Sequence, residues 1–342
     1  MRKLILGGSG FLSRAVAEEA LRRGHEVVCA ARGQRGPVPT GADMVVIDRN
    51  EPEAYRALAG ERFDTVVDVA SFSYPWVAEA LAALADRVGH WTFVSSVNVY
   101  RDAATVGQRA DAPVHAPLRE AWNGERPVNP DRYGAVKVAC EDAVRARFGD
   151  RGFVVRPGLI TGPGDLSDRF GYWPSRLSKG GRVLVPEDTG LLTQYIDVRD
   201  LAGWIVSAGE QGLSGTYDGM GPAQSLTGLV HEMAEVLGAD AELVIAKEQA
   251  LTEAGVQYEQ AVNADGVRRW IGQKSLPLWA PVELAGYRAH DATDSLAVGL
   301  RPRSLADAVA GAMDQERKLG LDRKRKAGLT LAEEAGVLAT LA

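Results

Sequence analysis

Within the first fourteen positions, the apolar run Leu4-Ile5-Leu6 leads directly into Gly7-Gly8-Ser9-Gly10 and then Phe11-Leu12-Ser13-Arg14. This is a strand, a tight turn and the opening of a helix with no spacer between them. Glycines at 7 and 10 let the backbone turn sharply and leave room for a bulky anion at the helix N-terminus. There, unpaired N–H groups and the positive end of the helix dipole offset negative charge. A glycine-rich turn alone is a weak signal. Placed between the first strand and first helix of an alternating chain, it predicts a site for the pyrophosphate of a dinucleotide.

The rest of the N-terminal half keeps that alternation. Apolar runs at 26–30, 44–47, 64–69 and 91–94 are interleaved with helical stretches at 11–23 and 75–86. The runs are continuous, as in a parallel sheet covered on both faces. An α/β fold follows, a Rossmann-type doubly wound parallel sheet. Between 101 and 130 the periodicity lapses, with Pro113, Pro117, Pro127 and Pro130 among mixed charges, and a loop this long is usually functional or mobile. A helix is expected to open near Asp131 as N-cap, with Val136, Cys140, Val144 and Phe148 as its apolar stripe. A further strand follows at 152–156. Helices at 199–208, 225–237 and 304–319 and strands at 182–185 and 241–245 read as a smaller second domain resting on the strand ends of the first. The 342 residues suit two domains at ~150 residues each. The division expected is a dinucleotide-binding domain over 1–165, with part of 190–210 returning to it, and a mainly substrate-binding domain over 166–342.

Composition removes other classes of function. The balance of 39 Lys+Arg against 45 Asp+Glu gives a net charge of −6, so no general attraction to nucleic acid or anionic lipid is expected. The basic run at 317–326 reads as a solvated helix face or tail. No apolar run approaches the ~20 residues that cross a bilayer. The N-terminal apolar stretch stops after three residues, short of the ~7–15 of a secretory signal. Cys29 and Cys140 have no CxxC and no histidine cluster beside them. Neither a disulfide nor a metal site is expected, which fits a cytoplasmic protein.

The cofactor's identity turns on the end of the second strand. A carboxylate ~20 positions beyond the glycines would bind the ribose 2′-hydroxyl of NAD. Here Ala30-Ala31-Arg32-Gly33 stands there, with Arg35 close behind. No negative charge repels a 2′-phosphate and a guanidinium is available to pair with one. NADP(H) is therefore the preferred cofactor, with NAD(H) possible. Asp48 and Arg49, after the third strand, are placed to flank an adenine. Tyr133 and Lys137, at i and i+4 on the helix after the long loop, project from one face. The ammonium favours the phenolate, which suits the phenol to proton transfer near neutral pH. Ser95 and Ser96 stand at the carboxyl end of an apolar strand, the edge where open α/β sheets bind ligands.

Taken in order, these features resemble the short-chain dehydrogenase/reductase superfamily, and more narrowly its extended branch, the NAD-dependent epimerase/dehydratase family. The matching residues are Gly7-Gly8-Ser9-Gly10-Phe11-Leu12, Asp48, Ser95-Ser96 ahead of Val99-Tyr100, and Tyr133-x-x-x-Lys137. Arg156-Pro157-Gly158, Gly162-Pro163 and Ile196-Asp197-Val198-Arg199-Asp200-Leu201-Ala202 complete the set. The resemblance implies that Ser96 hydrogen-bonds the substrate oxygen, Tyr133 exchanges the proton and Lys137 holds the nicotinamide ribose. It places Phe11 and Leu12 on the pyrophosphate, Ala70 and Ser71 along the cofactor, and Pro157 and Gly158 near the carboxamide. It also implies a homodimer through the helices at 75–86 and 132–147. Two departures stand out. Thr193 and Gln194 occupy the positions where nucleotide-sugar enzymes carry an Arg–Asp pair, and the Thr-Asp-Glu set of sugar dehydratases is missing after Ser95. The expected activity is hydride transfer between a nicotinamide and a carbonyl or secondary alcohol of a small metabolite. The alternatives are a sugar-nucleotide epimerase or dehydratase and, from another class, a non-catalytic or RNA-binding relative. The long loop, with His115 and Trp122, is placed to shape the pocket, His115 itself reading as a surface histidine rather than a catalyst.

Overall fold

The computed structural model of the chain describes residues 1–69, 72–121, 124, 129–262 and 268–341. Its N-terminal part runs β1 (Arg2–Leu6), α1 (Phe11–Arg22), β2 (Glu26–Ala31), β3 (Asp43–Val46), β4 (Phe63–Asp68), α2 (Tyr74–Leu84), β5 (Val88–Val94), α3 (Pro130–Phe148) and β6 (Gly152–Pro157). The chain continues through β7 (Ile160–Thr161), α4 (Tyr172–Leu177), β8 (Gly181–Pro186), β9 (Leu192–Thr193), β10 (Ile196–Asp197), α5 (Val198–Gln211) and β11 (Gly215–Gly219). Seven strands form one sheet in the order β11-β6-β5-β4-β1-β2-β3, and every neighbouring pair is parallel.

The apolar runs explain the layering. Leu4 faces a core built with Val66, Val77, Leu81, Trp91 and Val144. Its neighbour Ile5 faces the opposite one, with Val16, Ala17, Phe153, Leu201 and Ile205. Both side chains are fully buried, each worth ~1.5–3 kcal/mol of transfer free energy. α2 and α3 cover one face, and α1 and α5 cover the other. The sheet order reverses between β1 and β4, which opens a crevice at the carboxyl ends of the strands. The chain's return to this sheet extends past the 190–210 expected, through all of α5 to β11 at the edge.

The remaining elements are β12 (Gln224–Ser225), α6 (Leu226–Leu237), β13 (Ala241–Ala246), α7 (Glu248–Glu253), the short strands β14 (Gln257–Tyr258), β15 (Gln260–Val262), β16 (Arg268–Trp270) and β17 (Ser275–Leu276), and the helices α8 (Thr293–Ala297), α9 (Leu305–Leu319) and α10 (Leu331–Thr340). β13 pairs with β8 in parallel. A separate core joins Trp173, Val183, Leu229, Met233, Val309 and Met313. Ser225 and Ser304 cap α6 and α9 through their side chains.

Two local expectations change. The cap of α3 is Asn129, whose side chain accepts from the N–H groups of Asp131 and Arg132 at 2.8 and 3.4 Å. Pro130 takes the first helical position, where its missing N–H costs nothing, so Asp131 sits inside the first turn. The basic run near the C-terminus is not merely a solvated face. Arg323 and Arg325 both pair with buried Glu316, Arg323 also pairs with Asp168, and the Lys326 N–H donates to Asp168 at 2.7 Å. No helix among the described residues is long and apolar enough to cross a membrane.

Candidate active site

The glycine turn follows β1 directly. Gly7 and Gly8 have φ of +136° and +105°, and a Cβ on Gly8 would stand 2.4 Å from the Cys29 sulfur on β2. Only glycine fits there without moving the neighbouring strand. Gly10 is the N-cap of α1, and among the described residues no side chain caps that end. Ser13, in place of a third glycine, is buried and donates its hydroxyl to the Gly10 carbonyl at 3.2 Å. Leu12 is buried, and Phe11 lies against Gly164. An Arg35 guanidinium nitrogen is 3.7 Å from where a Cβ on Gly10 would be. Arg14 donates to the Pro37 carbonyl at 2.8 Å, which holds this loop on α1. Arg32 stands 4.0 Å from Asp48. Open backbone and N–H groups without a side-chain cap at the start of α1 fit the pyrophosphate of a dinucleotide.

At the end of β5 the two serines separate. Ser95 donates to Glu141 at 2.5 Å, and Glu141 is held by Arg156 at 2.9 and 2.7 Å. Burial raises the proton affinity of Glu141, but the hydrogen bonds and charge of Arg156 outweigh it and keep its carboxyl below the usual range. Ser95 thus belongs to the interior. Ser96 opens the short turn Val97–Val99, and its oxygen accepts from the N–H and side-chain amide of Asn98 at 3.2 and 3.0 Å.

α3 lies directly on that turn. A Cβ on Gly134 would fall 1.8 Å from the Asn98 carbonyl oxygen, so the helix backbone reaches the turn only because position 134 is glycine. This contact seats α3, which carries Tyr133 and Lys137, on the turn that Ser96 opens. The Lys137 ammonium is buried and donates to the Val94 carbonyl at 2.6 Å. It lies 4.6 Å from the Phe93 ring centroid and 5.8 Å from that of Tyr133. Burial pushes Lys137 down to about 8, against the opposing pull of Cys140, Asp68 and Glu141. Phe72 packs on Tyr133 with ring centroids 5.6 Å apart.

Other candidates are placed differently. Asp48 accepts from the Asn50 N–H at 3.0 Å, closing a turn at the end of β3. Arg49, expected to flank an adenine, is engaged with interior partners. It is buried in a two-pronged pair with Asp68 at 2.8 and 3.0 Å and donates to the Trp76 carbonyl at 2.6 Å. The reason is Asp68, a carboxylate at the end of β4 with no exposure, which needs a partner. Pro157 ends β6 beside Gly219, and Gly158 lies against Met220. His115 stands 3.6 Å from Asp131 at the start of α3. Ala70, Ser71 and Trp122 lie outside the described residues.

Asn98, Tyr287 and Glu141 have no precedent in the motifs. Asn98 is two residues from Ser96 and was open to recognition as a local hydrogen-bonding partner. Tyr287, whose hydroxyl donates to the Asn98 side-chain oxygen at 2.7 Å from 189 positions away, had no sequence signal. A shallow cleft in the C-terminal part is lined by Leu192, Leu226, Trp279, Pro281, Leu284 and Arg288 among others. Arg288 faces Glu259 at 3.5 Å. Gln194 is buried, donating to the Gly221 and His290 carbonyls and accepting from the His290 N–H.

Known proteins share this fold. The chain is 32% identical over 199 residues to the 2′-dehydrokanamycin reductase of Streptomyces kanamyceticus, covering 55% of this chain and 52% of that protein. It thus spans about half the length of that relative. It is 28% identical over 254 residues to the epimerase family protein SDR39U1 of Bos taurus, covering 70% of this chain and 80% of that one. The fold matches that of a UDP-N-acetylglucosamine 4-epimerase from Bacillus cereus with a TM-score of 0.63 at 15% identity, over 96% of this chain and 100% of the other. Residues 3–217, which carry the glycine turn, the serines and the Tyr–Lys pair, match the NAD dependent epimerase/dehydratase family. That match covers more than half of the chain, and the chain belongs to this family.

Proposed function

We propose that the protein is an oxidoreductase, preferring NADP(H), that acts on a carbonyl or secondary alcohol of a small, non-nucleotide metabolite. The observation that carries this reading is the approach of α3 to the Ser96 turn through Gly134, with Lys137 buried beneath. Gly7, Gly10, Phe11 and Leu12 would receive the pyrophosphate, Asp48 would lie near the adenine, and Pro157 and Gly158 near the carboxamide. Arg32 and Arg35 would pair with a 2′-phosphate. When bound, the nicotinamide supplies or accepts the hydride. Tyr133 gives or takes the proton at the substrate oxygen, and Ser96 donates a hydrogen bond to it as charge develops. The Lys137 ammonium holds the nicotinamide ribose and favours negative charge on the phenol oxygen.

Several observations weigh on the substrate. Gln194, where nucleotide-sugar enzymes carry a charged pair, is neutral and committed to backbone partners, and among the described residues Arg288 of the C-terminal cleft is balanced by Glu259. This favours net turnover of a small metabolite over sugar-nucleotide epimerisation, as does the likeness to a reductase. The internal pairing of Arg323 and Arg325 removes the main support for an RNA-binding role. The reading includes a cofactor lobe and a substrate lobe, a cytoplasmic setting, and a homodimer through α2 and α3, which light scattering would test. The experiment for the activity is NADPH oxidation with a panel of small ketones and aldehydes. Tyr133→Phe is expected to lose at least about 100-fold in kcat with NADPH affinity retained. Full activity in that variant would refute the assignment.

A further inference from the structure

Ser96 accepts two hydrogen bonds from a single residue, the Asn98 N–H at 3.2 Å and its side-chain amide at 3.0 Å. A serine hydroxyl has two lone pairs and one proton. With both lone pairs occupied, the proton is the one hydrogen-bonding capacity left, and it is excluded from the side facing Asn98. The orientation of the Asn98 amide decides this. Were the amide turned over, its oxygen would draw the serine proton inward and leave no donor for a ligand.

Tyr287 complements that orientation. Its hydroxyl donates to the Asn98 oxygen at 2.7 Å, while the amide nitrogen faces Ser96. Tyr287 lies in the short turn Gly286–Arg288, and hydrogen bonds from both sides pin that turn. The Tyr287 N–H donates to the Ala103 carbonyl at 3.0 Å, and the Gly107 N–H to the Ala289 carbonyl at 2.7 Å. His290 faces Asp218 of β11 at 3.2 Å, and Asp218 also accepts from Tyr100 at 2.5 Å. The C-terminal segment thus reaches into the cofactor-bearing half and fixes an amide one contact from the reacting position.

We propose that Asn98 and Tyr287 are positioning residues that make Ser96 an obligate hydrogen-bond donor to the substrate oxygen. The inference rests on the reading of Ser96 and Tyr133 as the groups that meet that oxygen. A donor held in place before charge develops stabilises the transition state more than the ground state, so the effect belongs in kcat.

The test compares Asn98→Asp, Asn98→Ala, Tyr287→Phe and Tyr133→Phe as full-length proteins. Steady-state ketone reduction, NADPH affinity by fluorescence and thermal unfolding are measured for each. A carboxylate at 98 accepts the serine proton, whereas alanine leaves the hydroxyl free to turn toward substrate. Asn98→Asp, nearly the same shape as the parent, is therefore expected to lose more than alanine does: about 100-fold in kcat against about tenfold, with KM and NADPH affinity changed by less than about threefold. Tyr287→Phe is expected to lose about fivefold in kcat alone. A purely structural role predicts the reverse order at position 98. With Tyr133→Phe inactive, an Asn98→Asp enzyme as active as Asn98→Ala, or a Tyr287→Phe enzyme equal to the parent, overturns the proposal. A fully active Tyr133→Phe enzyme overturns the reading of the site itself, and this proposal with it.

Discussion

Lys137 carries a positive charge in a place that resists one, beneath Tyr133 and against the Val94 carbonyl. Burial brings it to about 8 from an ordinary 10.5. Between those values the unfolded chain holds the proton that the folded protein releases, so stability rises with pH across that window, and the cost of the buried charge is fully present below it. Activity runs the other way, because the neutral amine no longer supports the phenol. The rate of ketone reduction is expected to fall above about pH 8, read from a pH profile of kcat/KM. Lys137→Met is expected to resist urea better than the parent at pH 7 while losing at least about 100-fold in kcat. Arg32 and Arg35 give a second test at this scale. Arg32→Ala with Arg35→Ala is expected to weaken NADPH binding at least about tenfold and leave NADH binding nearly unchanged, measured by titration. The residue types were legible in the chain, but their assignments were not all so. Arg49 had the right position for an adenine neighbour and is spent on Asp68, because a buried carboxylate takes the nearest guanidinium.

Among the elements, α3 does the most to build the site, and two features set its position. Asn129 caps its start, and Gly134 lets its second turn rest on the Asn98 carbonyl. A methyl group at 134 has no space without moving the helix or the Ser96 turn. Gly134→Ala is expected to cut kcat at least about tenfold although alanine is the better helix former by ~1 kcal/mol. Circular dichroism should show the helix content retained. The spacing of Tyr133 and Lys137 and the apolar stripe were readable, since both follow the helical period. The cap one residue before Pro130 was not selected, because Asp131 is an equally good capping type and the choice depends on where the preceding loop delivers the chain.

For the molecule as a whole, long-range ion pairs tie the C-terminal segment to the loop after β7. Glu316 of α9 is buried and accepts from both Arg323 and Arg325, while Asp168 takes Arg323 and the Lys326 N–H. Glu316→Ala leaves two partly buried guanidinium groups on one carboxylate. A loss of about 3 kcal/mol is expected, measured by urea unfolding at pH 7. The same pairing takes two of the six positive charges of this basic run, Arg323 and Arg325, into the interior.

The chain by itself determined what depends on neighbours in sequence: the strand–turn–helix at its start, the parallel α/β plan, the Tyr133–Lys137 face and the missing carboxylate after β2. These are consequences of backbone period and turn chemistry, which a short window contains. Tertiary structure alone decided that Ser95 is bound to Glu141, that Arg49 pairs with Asp68, and that Tyr287 bonds the Asn98 side-chain oxygen. Those outcomes join residues 19, 46 and 189 positions apart. They were set by strand register and by the competition of buried polar groups for partners, and neither leaves a local pattern to read.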